Sequence, residues 1–314
     1  MAFSACTDSV VKSGYWFFGR DFNWPVSKIP SELFTHLYAG FAKVDDDGTV
    51  STVLEQYSDQ FRTFTDTVRV RCPQVKTLLS ISGEGSPISP VVADTEKRQT
   101  FIRTSIELAW DLGFDGLDLG WLYPSNDDQK DQLSHFLNEW RSAVDKEVKK
   151  TVGIKPLLLT AAVFYHSVNN TFNYPIQAIN EKLDWINVLA IDFYTPKSDS
   201  SPEETGPVHA WNTQPVPKAR CGRVGIEEWI KNGIVTNKID PVAYRDVQKE
   251  VELWRGIYET VYDSNYIAVY WHEINGEKWI DYDDALCIFG RVRGARTRNL
   301  GGYFAWHLAT DDDN

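Results

Sequence analysis

Short apolar runs of strand length recur along this chain with helix-patterned stretches between them, and that alternation admits few architectures. Seven runs stand out, at residues 14–17, 36–42, 76–81, 116–121, 157–164, 185–193 and 302–306. Their near-continuous hydrophobicity suits strands covered on both faces, which points to a parallel sheet of β/α units. Between them, Phe101, Ile102, Leu108, Ala109 and Leu112 fall at helical spacing over residues 97–112, and Gly113 supplies the stop. Leu133, Phe136, Leu137, Trp140 and Val144 form one face of a second amphipathic helix. Both stripes read as core faces. With 314 residues and no internal repeat, a single α/β barrel fits the length as well as two average domains do. Residues 195–223, rich in Pro, Ser, Thr and acidic side chains, read as a long loop after the sixth strand.

Charge narrows the range of functions. A formal net charge of −12 leaves no basic excess to neutralise phosphates, so neither a nucleic acid nor an anionic membrane is an expected partner. No run of about 18 apolar residues predicts a membrane span. Residues 1–12 lack the pattern of a secretory signal, so the expected location is cytoplasmic, or vacuolar or extracellular if a leader was removed. The sequon Asn169-Asn170-Thr171 matters only in the second case. Cys6, Cys72, Cys221 and Cys287 are far apart with no C-x-x-C pair, and reduced thiols are expected. Without a glycine-rich phosphate loop or a His/Cys/Asp cluster at ligand spacing, no cofactor and no metal are expected. Twelve Trp, in a chain that is 13% aromatic, suggest that aromatic surface is used as well as aromatic core.

The stretch Phe114-Asp115-Gly116-Leu117-Asp118-Leu119-Gly120-Trp121-Leu122-Tyr123-Pro124 resembles the signature strand of plant class V chitinases, family 18 glycoside hydrolases, which reads F-D-G-L-D-L-D-W-E-Y-P. Further landmarks of the same resemblance run from Val10-Val11-Lys12-Ser13-Gly14-Tyr15-Trp16 to Gly302-Tyr303-Phe304-Ala305-Trp306-His307. The resemblance implies an eight-stranded TIM-type (β/α)8 barrel with its site at the C-terminal ends of the strands. It also shows what this chain has changed. The family's general acid falls at Leu122, and the Asp that orients the substrate acetamide falls at Gly120. The Tyr of the family's M-A-Y-D-F strand is Ile191 in Leu189-Ala190-Ile191-Asp192-Phe193. Glycosidic cleavage needs a proton donor at the leaving oxygen, and the substrate-assisted route needs a carboxylate beside the acetamide. Leu and Gly supply neither, so the resemblance implies no chitin hydrolysis.

Two more departures shape the expected fold. Where the family continues into a seventh strand and an inserted α+β domain, this chain passes to Asp240-Pro241-Val242-Ala243-Tyr244 and then to a helix-patterned stretch over 246–258. The seventh strand is therefore either absent or rebuilt from residues 239–244, and a remnant of the insertion is expected within 240–284, around 266–280. The sequence stops soon after the eighth strand, without the helix that would cover it, and a homodimer burying that gap is expected.

The residues left to carry chemistry are Asp118 and Asp192 at the implied mouth, Glu84 after the third strand, and His166 after the fifth, the natural partner for Asp192. Each also has a structural reading, as a hydrogen-bonded or solvated side chain. Tyr15, Phe41, Leu122, Tyr123, Ile191, Tyr194 and Trp306 are the expected ligand-binding set, with Trp306 as the floor that the family places under a sugar ring. Three functions stay open. The first is a non-hydrolytic binding protein for a carbohydrate or small ligand, and the second a recruited cytosolic plant enzyme using acid/base carboxylates on a small specialised metabolite. The third is a storage or stress protein resembling the narbonin-type globulins.

Overall fold

The computed structural model describes residues 10–17, 24–52, 55–82, 87–121, 126–150, 155–168, 173–191, 193, 210–212, 220–244, 258–273 and 279–308. Its strands are β1 (Val11–Phe17), β2 (His36–Val44), β3 (Val50–Ser51), β4 (Lys76–Ile81), β5 (Gly116–Leu119), β6 (Leu158–Phe164), β7 (Trp185–Leu189), β8 (Ile239–Tyr244), β9 (Tyr258–Asp263), β10 (Ala268–Glu273), β11 (Trp279–Tyr282) and β12 (Gly302–Ala305). Parallel pairing runs in the order β1-β12-β8-β7-β6-β5-β4-β2, and β1 pairs again with β2 to close the ring. This is the eight-stranded TIM-type barrel. β3 only folds back on the end of β2.

The helices are α1 (Glu55–Arg69), α2 (Ile88–Ala93), α3 (Thr95–Asp111), α4 (Asp127–Lys150), α5 (Ile176–Lys182), α6 (Gly222–Lys231) and α7 (Ala285–Thr297). Local chemistry sets where they start. Asp94 accepts from the N–H groups of Glu96 and Lys97 at the start of α3, and Asp284 does the same for Leu286 and Cys287 at α7. The expected stripes are core: Phe101, Phe136, Leu137, Trp140 and Val144 are all buried, and Phe101 meets Phe136 and Trp140 edge-on.

Alternate strands contribute alternate layers to such a barrel, and the register assigns them here. Ser13, Leu78, Thr160 and Asp240 lie at one level. Above them come Tyr38, Asp118, Asn187 and Phe304, and above those Tyr15, Ser80 and Ala162. Most barrel interiors are filled with branched aliphatic side chains. This one is largely polar, and its buried groups need partners.

The seventh strand is rebuilt. β8 starts at Ile239 and pairs with β7 on one side and β12 on the other, so the boundary expected at residue 240 falls inside a barrel strand. A separate antiparallel sheet, β11-β10-β9, falls within the stretch where a remnant of the insertion is expected. Of the helix expected over 246–258, only Tyr258 is described, and it opens β9 rather than closing a helix. The loop expected over 195–223 already gives way to α6 at Gly222. The predicted strand ends at Trp121, Phe193 and Trp306 overrun the observed ends at Leu119, Leu189 and Ala305, because apolar residues continue past the last ladder bonds into the mouth. Residues 309–314, on which the expectation of an uncovered end rested, lie outside the described residues.

The thiol reading needs correction as well. Cys72 is disulfide-bonded, whereas Cys221 and Cys287 are free and buried. Distance along the sequence does not limit which cysteines the fold brings within bridging reach. Among the described residues no helix is long and apolar enough to cross a membrane.

Candidate ligand site at the barrel mouth

Asp118 stands in the middle layer, fully buried. Three hydroxyls donate to it: Tyr15 Oη at 2.9 Å and Ser80 Oγ at 2.6 Å to Oδ2, and Thr160 Oγ1 at 2.7 Å to Oδ1. Asn187 Nδ2 donates in turn to Tyr15 Oη at 2.7 Å, which fixes the phenol as a donor toward Asp118. Burial pushes the Asp118 carboxyl above the usual carboxylate range, and the three hydroxyl bonds oppose that shift without cancelling it. Burial, with Asp118 alongside, also lifts the Tyr15 phenol well above its ordinary value. Both oxygens of Asp118 are satisfied and sealed from solvent. Asp118 can position neighbours, but it offers no oxygen to a ligand in the mouth.

An aromatic group lies over this layer. Tyr15 stacks on Tyr38 with centroids 4.2 Å apart and planes 7° apart, and Trp306 rests against Tyr15 at 4.8 Å. Phe17 joins the upper rings, lying 4.7 Å from Phe41 and edge-on to Trp306 at 4.9 Å and to His307 at 5.2 Å. Phe17, Phe41 and Trp306 are partly exposed, whereas Tyr15 is fully covered. The strand ends β1, β2 and β12 thus present rings to the mouth. Phe17 was not among the sequence candidates; the signal that would have found it is its place at the C-terminal end of β1, two residues past Tyr15 on the same face.

On the opposite strands the position of Gly120 is closed. A Cβ at residue 120 would stand 2.5 Å from Ser82 Cβ and 3.1 Å from Phe41 Cε1, and Ser82 Oγ donates to the Gly120 carbonyl at 2.6 Å. Ser82 occupies the space that a side chain at residue 120 would enter, the position where the resemblance implies an assisting carboxylate. Ile191 is 8% exposed and Phe193 2%, so both belong to the wall rather than to the open surface. Trp121 packs half-buried against the core.

His166 lies at the end of β6 with its ring 4.0 Å from Tyr165. Its Nδ1 is 3.1 Å from Glu228 Oε2 on α6. Glu228 Oε1 accepts from the backbone N–H groups of Ser167 and Val168 and from Ser167 Oγ. These donors, with His166 foremost, hold Glu228 below the usual carboxylate range against the upward pull of partial burial, which is the largest single influence. The partner of His166 in the structure is therefore Glu228, a residue that sequence spacing did not connect to it. Asp192, Glu84, Leu122, Tyr123 and Tyr194 lie outside the described residues. Among the described residues no group of three or more His, Cys, Asp or Glu side chains is placed to hold a metal ion.

A closed parallel ring of eight strands with its candidate site at their C-terminal ends defines the class, that of TIM-type (β/α)8 barrels. The chain belongs to the glycosyl hydrolases of family 18, which it matches over residues 9–311. It is similar to a class V chitinase of Arabidopsis thaliana, with 35% identity over 342 residues, 98% of this chain and 87% of the relative. Among solved structures it matches a class V chitinase mutant from Nicotiana tobaccum in complex with NAG4, with a TM-score of 0.87, 33% identity, and 97% and 95% of the two chains covered. A chitinase-like agglutinin from Robinia pseudoacacia matches with a TM-score of 0.84 and 33% identity over 96% of each chain.

Proposed function

We propose that this chain is a non-hydrolytic member of the family that binds a neutral carbohydrate or a small ring-bearing ligand at the barrel mouth. The observation that carries the reading is the contact of Ser82 with Gly120, which fills the place of the assisting carboxylate instead of leaving it vacant. Asp118, the carboxylate of the motif that faces the barrel interior, is sealed by its three hydroxyl donors. What the mouth offers is stacking: Trp306, Phe17 and Phe41 present apolar ring faces of the kind that cover a pyranose or an aromatic ring. The likeness to an agglutinin supports a binding role, and the likeness to class V chitinases supports a saccharide as the ligand.

The test has two arms. The purified protein should release no shorter products from chitin oligomers above a protein-free control, and it should bind one or more glycans on an array. Release of products that an Asp118→Ala variant abolishes would overturn the non-hydrolytic reading. Absence of binding by folded protein would overturn the carbohydrate reading.

One observation favours a second reading, a recruited enzyme. Glu228 engages Nδ1 of His166 and so leaves Nε2 as the ring nitrogen free to act as a base. Turnover of a small metabolite that His166→Ala abolishes while ligand binding persists would support it.

The bonded state of Cys72 favours maturation in an oxidising compartment, and with it an extracellular or vacuolar location in place of the cytoplasmic one. Titration of unfolded, unreduced protein should then find thiols at Cys221 and Cys287 but none at Cys72. A reactive Cys72 in protein isolated from its native tissue would return the location to the cytoplasm.

A further inference from the structure

Asp240 is fully buried in the rebuilt seventh strand, and neither of its carboxylate oxygens has a hydrogen-bond partner. Its neighbours in the ring share the problem. Asn187, opposite it in the β7–β8 register, has an unpartnered Oδ1, and Ser13, at the same level of the barrel, has an unpartnered Oγ. These unmatched atoms on Asp240, Asn187 and Ser13 are all oxygens, and three of the four can only accept. A carboxylate ion in such a place is uncompensated, and burial then favours the neutral acid.

No cation among the described residues faces Asp240. From β2, the Tyr38 phenol lies near enough to feel its charge, and it accepts a bond from Trp185 Nε1 at 3.0 Å. His36, on the same strand, is held neutral by burial, with its value lowered to about 4. From β5, Asp118 is another acid, already saturated by hydroxyls. Lys238, two residues before Asp240, turns its ammonium to the carbonyls of Asn180 and Leu183. On α7, which packs against β8, Arg291 is paired with Asp283 and Arg298 with Glu227. Burial alone raises the Asp240 carboxyl, well above the carboxylate range.

We propose that Asp240 is a proton-binding site: it holds a proton in the folded barrel at neutral pH, donates it toward the Asn187 side, and loosens the seventh strand when it ionises. The proton turns one orphan acceptor into a donor and gives Asn187 Oδ1 a partner. Ionisation removes that bond and leaves an anion inside the ring. The sign follows from linkage. A folded-state value above the unfolded one means that the folded protein binds more protons, so this contribution is complete at low pH and is lost as pH rises through the raised value.

The test compares the urea unfolding of the parent with that of Asp240→Asn, whose amide copies the shape and the donor of the neutral acid. Relative to the variant, the folding equilibrium constant of the parent should fall about tenfold per pH unit above about pH 4, until Asp240 itself ionises. Parallel profiles would overturn the proposal. On the parent alone, the infrared spectrum at neutral pH should show a protonated carboxyl C=O band, lost on raising the pH; a band absent at neutral pH would count against it even if the variant fails to fold. Replacing sodium or potassium by choline at constant ionic strength should change nothing. Saturable stabilisation by either metal ion would assign the site to a bound cation and overturn the proton.

Discussion

Ser82 sits directly on Gly120: its Oγ donates to the Gly120 carbonyl at 2.6 Å, and its Cβ lies 2.5 Å from where a side chain at residue 120 would begin. The space that a side chain at residue 120 would need is therefore already taken by Ser82.

Restoring the family residue should fail for that reason. Gly120→Asp forces Ser82 and Phe41 apart, and overpacking of this kind costs about 1–3 kcal/mol. Adding Ser82→Gly should recover part of the loss, because it removes the atoms closest to the new Cβ. Urea unfolding of the single and double variants measures both effects. A Gly120→Asp protein as stable as its parent would show that the mouth has room to spare.

Asp118 should matter to stability rather than to turnover. Truncation by Asp118→Ala leaves the buried hydroxyls of Tyr15, Ser80 and Thr160 without their acceptor, and a buried donor left unpaired costs about 1–3 kcal/mol. Asp118→Asn keeps one oxygen and should lose less. Equal stability of parent and Ala variant in chemical denaturation would mean that the network is not formed.

How much of this was legible in the sequence depends on whether the information is local. Barrel strands and helix stripes are local patterns of apolar residues, and seven of the eight strands were visible that way. The eighth, β8, was not, because Asp240-Pro241 at its start reads as a turn: Pro cannot donate to a ladder and Asp is a poor strand former. Closure of the ring by β7 and β12 overrides that local preference. The pairing of His166 with Glu228, and of Ser82 with Gly120, joins residues far apart in sequence through the barrel geometry. The sequence drew attention to Gly120, but not to the contact that Ser82 makes with it.

The acid limb of stability should carry the mark of His36. Burial lowers its value to about 4, Lys76 adds to the shift, and Asp115 and Asp184 oppose it. Unfolded histidine titrates near 6.5, so between about pH 6.5 and about pH 4 the folded state binds fewer protons, and stability falls as pH falls through this window. His36→Phe retains a ring against Trp185 and removes the titration, at the cost of the bond with Thr35. Its stability should decline less steeply than that of the parent over the window, by up to about tenfold in the folding constant per pH unit. Identical slopes would place the acid sensitivity elsewhere.

Trp306 should decide ligand binding. Its ring is partly exposed at the end of β12 and is held by Tyr15 below and Phe17 beside it, so it is presented in one orientation before any ligand arrives. A rigid, preplaced ring loses little freedom on binding, and a buried aromatic anchor of this kind is worth at least about 2 kcal/mol, or more than tenfold in Kd. Trp306→Ala should therefore abolish retention on whichever glycan the array identifies, while Trp306→Phe should keep a measurable part of it. Phe41→Ala, farther from Trp306 at 6.4 Å, should cost less. Calorimetric titration of the three variants against one glycan orders them. An Ala variant at residue 306 that binds like the parent would move the ligand away from this aromatic cluster.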